Sequence, residues 1–288
     1  MKRTKIVATI GPSSSSEEEL TKLIQAGMNV ARLNFSHGAY DVHGATVEAL
    51  RAADAKLGTH TALLADLQGP KLRIGDLVDD EIILVKGERL TIRTGNGMGS
   101  GNEVFTNYEQ FAIDVNPGEP VLLDDGKLEL KIIETNKRDA VICEIVHGGS
   151  LKPRKGVNLP STVISLPCIT PKDAQDLEFA LSQDVDWIGL SFVRNASDIH
   201  ELRALIQASG RHARIVAKIE KPEALKDLDG ILEATDAVMV ARGDLGVESP
   251  MQDVPLVQKD IIRRCMAIGR PVIVATQMME SMIEHAVP

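Results

Sequence analysis

The chain has 288 residues, of which 43% are apolar and 25% are charged, which is the composition of a globular protein with a full core and room for more than one domain. Its net charge of −9 argues against nucleic acid or an anionic membrane surface as the main partner. No apolar run is long enough to cross a membrane or to form the core of a secretory signal. The 3 cysteines lack metal-binding spacing, which is typical of a reducing compartment, so we expect a cytoplasmic protein.

The first part of the chain alternates short aliphatic runs with helical patterns. TKIVATIG predicts a strand that ends at Gly11 and Pro12, and a helix should follow it to about Ala26. MNVARLN predicts the second strand, residues 40–56 a helix, and TALLADL the third strand. Strand, helix and strand in succession form right-handed parallel units, so residues 1–70 should begin a parallel α/β barrel.

The pattern changes after the third strand. From about residue 72 to 153 the helical period disappears, and short β-like runs such as EIILV, RLTIR and KLELKII are separated by turn-forming residues. We interpret residues 71–155 as an inserted, small antiparallel β domain that acts as a lid. Its glycines 95, 97, 99 and 101 imitate a phosphate-binding loop, but no helix follows them, so a hairpin loop is the better interpretation.

Residues 156–288 return to the barrel pattern. ITPKDAQDL predicts a helix with Thr170 as N-cap and Pro171 in its first turn, and PEALKDLDGILEAT predicts one further helix. Four strands, DWIGLSF, RIVAKIE, AVMVARG and PVIVATQ, bring the total to seven, which predicts a (β/α)8 TIM barrel without its last βα unit. An open barrel would expose a sheet edge, so we expect either a truncated chain or completion by another polypeptide.

Charged residues follow the last aliphatic runs. RIVAKIE ends in Lys218 and Glu220, and AVMVARGD ends in Asp244. The carboxyl ends of parallel strands share one rim of a barrel, which is where barrel enzymes place their chemistry. Glu220 and Asp244 are suited to one Mg²⁺ ion, and Lys218 can reach a group bound to it. The alternative is a structural ion network at the strand ends.

The second and third strands also end in polar residues. Because side chains alternate along a strand, Arg32, Asn34 and Ser36 share one face, and His37 follows them. The third strand ends in Asp66, and Lys71 and Arg73 come shortly after it. Cations beside carboxylates suit a substrate that is rich in negative oxygens.

Seven motifs occur in order along the chain: TKIVATIGPSS, GMNVARLNFSHG, DLQGPKLR, KGVNLP, IVAKIEKPEAL, MVARGDLGVE and ATQMMESMI. Together they resemble the pyruvate kinase family over essentially all 288 residues. The family transfers the phosphoryl group of phosphoenolpyruvate to ADP in the last step of glycolysis. The resemblance therefore implies phosphoenolpyruvate or pyruvate and ADP or ATP as ligands, Mg²⁺ as cofactor, and a homotetramer as the assembly.

The resemblance also implies roles for individual residues. Lys218 would neutralise the transferring phosphoryl group, and Glu220 with Asp244 would bind Mg²⁺. Thr276 would contact the substrate carboxylate and deliver the proton. Arg32 would bind the substrate phosphate, and the backbone of Gly243 and Asp244 would bind the substrate carboxylate. The nucleotide would be bound by four residues, one of which, Arg73, would also act as a catalytic cation: Asn34, His37, Arg73 and Lys155.

The chain departs from the family pattern in one motif. Many members have DTKGPE and need K⁺, which is held by Asn, Ser, Asp and Thr oxygens; here Asn34, Ser36 and Asp66 match, but Leu67 replaces the threonine and Lys71 the glutamate. A lysine ammonium carries the same charge as K⁺, so we predict that Lys71 substitutes for the ion and that K⁺ is not required. Alternatively, Lys71 is a solvated loop residue.

Two other functions stay open on the sequence alone. A Mg²⁺-dependent lyase or aldolase acting on pyruvate or phosphoenolpyruvate would use the same carboxylates, since they also stabilise enolates. Such an enzyme would not need Arg73, Lys155 or the β lid. The chain could also be a catalytically inactive fragment that needs a missing C-terminal part.

Overall fold

The computed structural model of the chain describes residues 3–287. The strands are β1 (Ile6–Thr9), β2 (Met28–Asn34), β3 (Ala62–Asp66), β4 (Ile82–Leu84), β5 (Arg89–Thr94), β6 (Glu103–Thr106), β7 (Pro120–Leu123), β8 (Leu128–Thr135), β9 (Ala140–His147), β10 (Gly149–Leu151), β11 (Val157–Asn158), β12 (Trp187–Leu190), β13 (Arg214–Ile219), β14 (Ala237–Ala241) and β15 (Val272–Ala275). The helices are α1 (Glu17–Ala26), α2 (Tyr40–Leu57), α3 (Phe111–Asp114), α4 (Pro171–Ser182), α5 (Ala196–Ala208), α6 (Glu223–Lys226), α7 (Leu228–Ala234), α8 (Arg242–Glu248) and α9 (Val254–Ala267), with 3₁₀ turns at Met251–Asp253 and Glu280–Ile283.

The chain is organised in two compact units, each assembled from more than one stretch of sequence. The first unit comprises the residues up to Pro70, Cys168–Val240 and Asp260–Ala275, and the second comprises Lys71–Pro167, Ala241–Lys259 and the residues from Thr276 onward. Among residues 3–287 the structure has no helix that combines the length and apolarity needed to span a membrane.

The first unit contains a seven-stranded sheet in the order β1-β2-β3-β12-β13-β14-β15. Its strands run parallel wherever their register is defined, and helices connect them, which is the topology of a TIM barrel and confirms the predicted fold class. Every residue of β14 is buried, as expected for a strand that is covered on both faces. The aliphatic core here includes Leu64, Val216 and Met239.

The cap of α4 agrees with the prediction and also serves a second purpose. Asp173 N donates to Thr170 Oγ1 (3.1 Å), and Thr170 N donates to Asp173 Oδ2 (2.9 Å), which together make a capping box ahead of Pro171. The Asp173 carboxylate is fully buried and also accepts a hydrogen bond from Gly69 N (2.9 Å). The cap therefore fixes the turn after β3 to the start of α4.

The single helix predicted after β13 is wrong, because α6 and α7 are separated at Asp227. This residue has φ −118° and ψ 30°, outside the helical region. Its carboxylate accepts a hydrogen bond from Ala196 N (2.8 Å) at the start of α5. A side chain at Gly230 would lie 2.5 Å from Asp227 Oδ1, so glycine leaves room for that carboxylate. A tertiary hydrogen bond thus competes with helix propensity, which is a weak local preference.

The second unit contains a six-stranded sheet in the order β11-β7-β8-β9-β5-β6 and a two-stranded sheet of β10 and β4. Its hydrophobic core is drawn from residues 72–164 and includes Ile92, Phe111 and Val141, each fully buried. The predicted antiparallel pairing holds for every defined pair of the larger sheet except β5 and β6.

The glycine-rich loop contains a short hairpin at its end, where Ser100 and Glu103 pair antiparallel, but the loop does not join an antiparallel pair of strands, because β5 and β6 pair in parallel. Its glycines also allow close packing. A Cβ atom at Gly97 would lie 2.3 Å from the ring of Phe105, and one at Gly99 would lie 2.8 Å from a methyl group of Leu77. The loop therefore packs against its own unit in a way that larger residues would prevent.

Candidate active site

Four charged residues form a cluster in the first unit, which we call the ion cluster: the buried residues Asp66, Lys218 and Glu220, and the half-buried Arg32. The strand register explains why they meet, since Asp66 lies beside Asn34 of β2 and Gly189 of β12. Arg32 donates through Nε to Asp66 Oδ2 (2.6 Å). The structure thus brings together four charged residues that the sequence analysis had singled out, and their functional roles stay predictions.

Lys218 is the centre of the ion cluster. Its Nζ lies 2.8 Å from Glu220 Oε1 and 3.1 Å from Asp66 Oδ1, and it donates to Ser191 Oγ (2.7 Å). Burial by itself lowers the pKa of Lys218, but the negative charges of Glu220 and Asp66 outweigh burial and hold the pKa above its usual value. Lys218 is therefore a fixed positive charge at neutral pH.

Asp66 has one oxygen that lacks a hydrogen bond. The residue is 1% exposed, and its Oδ1 accepts no hydrogen bond but forms an ion pair with Lys218 Nζ at 3.1 Å. A Cβ atom at Gly189 would lie 3.1 Å from this oxygen, so glycine leaves space for the carboxylate. A buried carboxylate oxygen of this kind fits a site that attracts cations.

Glu220 is also 1% exposed, and its two oxygens face different partners. Oε1 is paired with Lys218, and Oε2 accepts a hydrogen bond from Phe192 N (2.8 Å). Phe192 has a φ of 55°, an uncommon conformation for an aromatic residue. The backbone at the end of β12 is thus shaped around the Glu220 carboxylate.

Ser191 belongs to the candidate site by its contacts, and the sequence analysis missed it. Its hydroxyl accepts from Lys218 Nζ and donates to the carbonyl of Leu67 (2.7 Å), so it links three strand ends. The sequence does indicate this residue, since Ser191 is a polar residue directly after the aliphatic run of DWIGL. The rule that singled out Lys218 at the end of its strand would have found Ser191 too.

Of the predicted nucleotide residues, Asn34 is the last residue of β2 and His37 lies in the turn that follows it. Asn34 Oδ1 accepts from Ser36 N (3.1 Å), and Asn34 O accepts from His37 N (3.2 Å). The His37 side chain is exposed. Asn34 and Ser36, predicted for the monovalent-cation region, are thus already joined by a hydrogen bond.

A pocket of about 1090 Å³ lies in the second unit. Among the residues that line it are Lys71, Gly243, Asp244 and Thr276, which were all predicted for the site. Gly243 N donates to Thr276 Oγ1 (3.3 Å), and Arg242 donates to the carbonyl of Thr276. The start of α8 and the segment after β15 therefore meet at the pocket, and their role in binding the substrate carboxylate stays a prediction.

The backbone beside this pocket is unusual. Thr276 has a φ of 64°, Gln277 of 50° and Met279 of 54°. A β-branched residue rarely adopts a positive φ, and such conformations cluster at functional sites, where surrounding contacts hold them in place. Here the contacts of Thr276 with Arg242 and Gly243 hold the strained backbone.

Arg73 and Lys155, the other predicted nucleotide residues, come close together in the second unit. Ile74 N donates to the carbonyl of Lys155 (2.8 Å), and Arg73 donates through Nη1 to the carbonyl of Arg154 (3.0 Å). Lys155 Nζ lies 2.8 Å from Asp124 Oδ1. The hydrogen bond from Lys155 is the largest influence on Asp124 and holds the pKa of this carboxyl below its usual range.

The predicted magnesium ligands differ in their surroundings. Glu220 belongs to the buried ion cluster, whereas Asp244 is exposed and lines the pocket of the second unit. Both offer carboxylate oxygens, which are hard donors of the kind that Mg²⁺ prefers. Among residues 3–287, no three His, Cys, Asp or Glu side chains are grouped so that they could hold a metal ion by themselves. Water and substrate oxygens would have to complete any coordination shell, and the pairing of Glu220 with Asp244 stays a prediction.

The chain is similar to a large set of known proteins. A family model described as pyruvate kinase, barrel domain, matches residues 1–288. The chain is 44% identical to a pyruvate kinase from Bacillus licheniformis over 290 residues, covering 100% of this chain and 50% of that protein. It is 47% identical to a pyruvate kinase from Staphylococcus saprophyticus over 284 residues, covering 98% and 48%.

A third relative, a pyruvate kinase from Corynebacterium glutamicum, is 46% identical over 287 residues, covering 100% of this chain and 60% of that protein. The chain therefore spans about half the length of the curated relatives it matches. Because the family model and these relatives cover essentially all of its residues, the chain belongs to the pyruvate kinase family and carries the barrel domain of that family.

Proposed function

We propose that this chain forms the phosphotransfer centre of an enzyme that moves the phosphoryl group of phosphoenolpyruvate to ADP and gives pyruvate and ATP. The observation that carries the proposal is the ion cluster. A lysine is held charged between two buried carboxylates where parallel barrel strands end, with an arginine beside it. The carboxyl ends of barrel strands are where barrel enzymes place their chemistry, and fixed cations such as Lys218 and Arg32 are the groups that phosphoryl transfer uses.

Phosphoryl transfer demands little covalent work from the protein, because the migrating group passes through a loose transition state with charge spread over its oxygens. Cations that are already fixed in place stabilise that charge without reorganisation. Lys218 and Arg32 are fixed by ion pairs to Asp66 and Glu220, and Ser191 orients the ammonium. We infer that Lys218 neutralises the transferring phosphoryl group and that Arg32 holds it.

The other ligand contacts follow from the family resemblance. Glu220 and Asp244 would hold Mg²⁺, which supplies charge neutralisation when it is bound. The backbone N–H groups of Gly243 and Asp244 would bind the substrate carboxylate, and the hydroxyl of Thr276 would contribute to that contact and to protonation of the enolate. Nucleotide binding would fall to a set of polar residues: Asn34, His37, Arg73 and Lys155.

We further propose that the enzyme does not require K⁺. Leu67 is 1% exposed and offers no side-chain oxygen where the family pattern has a threonine. Lys71 is half-buried and lines the pocket that also contains Asp244. An ammonium in this motif would supply the single positive charge that the ion otherwise brings.

Three broader proposals rest on the family resemblance. We propose that the protein works in the cytoplasm and that it forms a homo-oligomer. We also propose that residues 1–70 and 156–288 form the barrel and that residues 71–155 form a lid domain inserted into it.

The test is formation of ATP and pyruvate from phosphoenolpyruvate and ADP in the presence of Mg²⁺, followed by a coupled assay. We expect Lys218→Met to lower kcat by about 10²- to 10³-fold, the range seen when a single transition-state donor is removed. Lys22→Met is the matched control, since Lys22 also lies between two carboxylates, Glu18 and Glu19, at 2.7 and 2.8 Å, but on the exposed face of α1.

The control variant should retain the activity of the unaltered protein. Circular dichroism of Lys218→Met would show whether the loss of activity comes from the site or from unfolding. An unaltered protein that forms no ATP from these substrates, or a folded Lys218→Met variant with full activity, would contradict the proposed function.

A further inference from the structure

The turn formed by residues 34–38, which we call the His37 turn, carries two of the residues proposed to bind the nucleotide. Two backbone N–H groups of the turn donate hydrogen bonds. Phe35 N donates to the carbonyl of Asp66 (3.0 Å), and Ser36 N donates to Asn34 Oδ1 (3.1 Å). These bonds leave the carbonyl groups of Phe35 and His37 to find donors elsewhere.

Two helices supply those donors through side chains. Lys172 Nζ, from the first turn of α4, donates to the Phe35 carbonyl (3.0 Å). His43 Nε2, from the first turn of α2, lies 2.9 Å from the His37 carbonyl. Because a carbonyl oxygen only accepts, Nε2 must carry the hydrogen. The His37 turn is therefore held from both sides by residues that have no part in the proposed chemistry.

The position of Lys172 is itself fixed by a buried carboxylate. Asp176 is fully buried, and its Oδ2 lies 2.5 Å from Lys172 Nζ. Its other oxygen accepts a hydrogen bond from Tyr40 Oη (2.8 Å). Burial raises the pKa of Tyr40 to about 12, with the hydrogen bond to Asp176 as a second cause. Both oxygens of Asp176 are thus satisfied, and Lys172 is aimed at the turn.

His43 is fixed by packing. Its ring stacks on that of Phe35 with centroids 4.5 Å apart, and the side chain is 8% exposed. Gly38 has a φ of 87°, and a Cβ atom there would lie 3.0 Å from His43 Nε2. Only glycine at position 38 lets the turn approach the imidazole this closely.

We propose that Lys172 and His43 are positioning residues that hold the His37 turn in one conformation and thereby set the affinity for the nucleoside diphosphate. An ordinary i,i+4 pair on a helix surface contributes little. The pair of Lys172 with Asp176 differs because the carboxylate is buried and the ammonium also binds a loop carbonyl of another element. This inference rests on the proposed nucleotide role of Asn34 and His37.

The experiment compares Lys172→Met, which keeps the aliphatic stem, with Lys172→Arg, which keeps the charge and the donors. The control is Lys22→Met on α1, where an i,i+4 pair with Glu18 (2.7 Å) is exposed. We expect Lys172→Met to raise the KM for ADP by about tenfold, the effect of losing one charge-assisted hydrogen bond, while kcat and the KM for phosphoenolpyruvate stay unchanged. Lys172→Arg should restore most of the affinity, and the control should match the unaltered protein.

Hydrogen exchange gives a readout that does not depend on catalysis. Amide exchange in a peptide covering residues 33–39 should be about tenfold faster in Lys172→Met, because the turn opens more often without its anchor. If that variant does not fold, His43→Leu removes the second anchor and should produce the same increase. Unchanged exchange in a folded variant would overturn the inference, whatever the activity.

Faster exchange with an unchanged KM for ADP would also overturn it, since the turn would then move without affecting the nucleotide. An unaltered protein without phosphoryl transfer would instead contradict the proposed function, and with it the nucleotide part of this inference. The two failures are therefore distinguishable.

Discussion

The ion cluster depends on charges that are buried in pairs. Asp66 and Glu220 are each 1% exposed, and Lys218 is 8% exposed. Removing one member of a buried ion pair leaves the other uncompensated, which costs about 3–5 kcal/mol. The raised pKa of Lys218 means that its stabilising charge is fully present below the pKa of an unfolded lysine and is lost only as the pH rises through the higher folded value. We therefore expect Lys218 to stay positively charged from acidic to neutral pH.

Lys71 provides a test at the same scale. Turnover should stay within about twofold when K⁺ is replaced by a tetraalkylammonium salt, because the ammonium of Lys71 supplies the charge that the ion would bring. Lys71→Glu should create a dependence on K⁺ of about tenfold or more, since the substitution restores the acidic residue of the family pattern. The measurement is the rate of ATP formation at fixed ionic strength, with and without K⁺.

The control for this test is Lys86→Glu, which reverses the charge of an exposed lysine in the second unit. It should leave the rate independent of K⁺. A fall in the rate of the unaltered protein to a few per cent without K⁺ would reject the proposed role of Lys71.

At the scale of elements, turns decide how closely the strand ends of the first unit approach one another. Gly69 follows β3 with a φ of 69°, and a Cβ atom there would lie 2.8 Å from the ring of Phe192 and 3.0 Å from Cβ of Ser191. The same turn is tied to the cap of α4 by Asp173. The geometry around Ser191, and hence around Lys218, thus depends on a glycine outside the ion cluster.

Placing a side chain in such a turn has two costs, the strain of a left-handed backbone and the steric overlap of the new Cβ atom. Comparing Gly69→Ala with Gly58→Ala separates them. Gly58 ends α2 with a φ of 65°, and a Cβ atom there would meet nothing within 4 Å. Gly58→Ala should lower the free energy of unfolding by about 1 kcal/mol, the penalty for a left-handed alanine. Gly69→Ala should lower it by about 2–4 kcal/mol, because overpacking adds to that penalty. Urea unfolding of both variants measures the difference, and equal losses would show that the contact with Phe192 is relieved without cost.

At the scale of the whole molecule, the second unit has a core that comes from one continuous stretch. Every buried residue of that core lies between Leu72 and Ile164. The strands of the larger sheet are likewise contained in residues 89–158. A continuous segment with its own core is expected to fold by itself.

We therefore predict that residues 71–167 fold when they are produced alone. The segment should unfold cooperatively in urea and protect the amides of β7, β8 and β9 from exchange. Two adjacent positions in β8 provide a matched pair, since Ile132 is 2% exposed and Ile133 is 39% exposed. Ile132→Asp should abolish folding because it buries an unpaired charge, whereas Ile133→Asp should preserve it. Exchange at the rates of an unfolded chain in the unaltered segment would contradict an independent domain.

The sequence by itself determined the features that local pattern encodes. Aliphatic runs followed by polar residues predicted the barrel strands and singled out Arg32, Asp66, Lys218 and Glu220. This works because the carboxyl ends of parallel strands meet at one rim, so a residue's place in its own strand predicts its place in the site. Caps and turns such as Thr170 with Pro171 were equally visible, since their chemistry lies within a few neighbouring residues.

Only the tertiary structure decided which of these groups pair with one another. Lys218 binds Ser191, which is 27 residues away in the chain, and the Phe35 carbonyl binds Lys172 at a separation of 137 residues. The break at Asp227 and the parallel pairing of β5 with β6 also depend on contacts that no short stretch contains. Local pattern records where a strand or helix ends, whereas the choice of partner depends on register and close packing between distant segments. The members of the ion cluster could therefore be singled out one by one from the sequence. Their pairing, the space that Gly189 leaves for Asp66 and the residues that anchor the His37 turn could not be predicted.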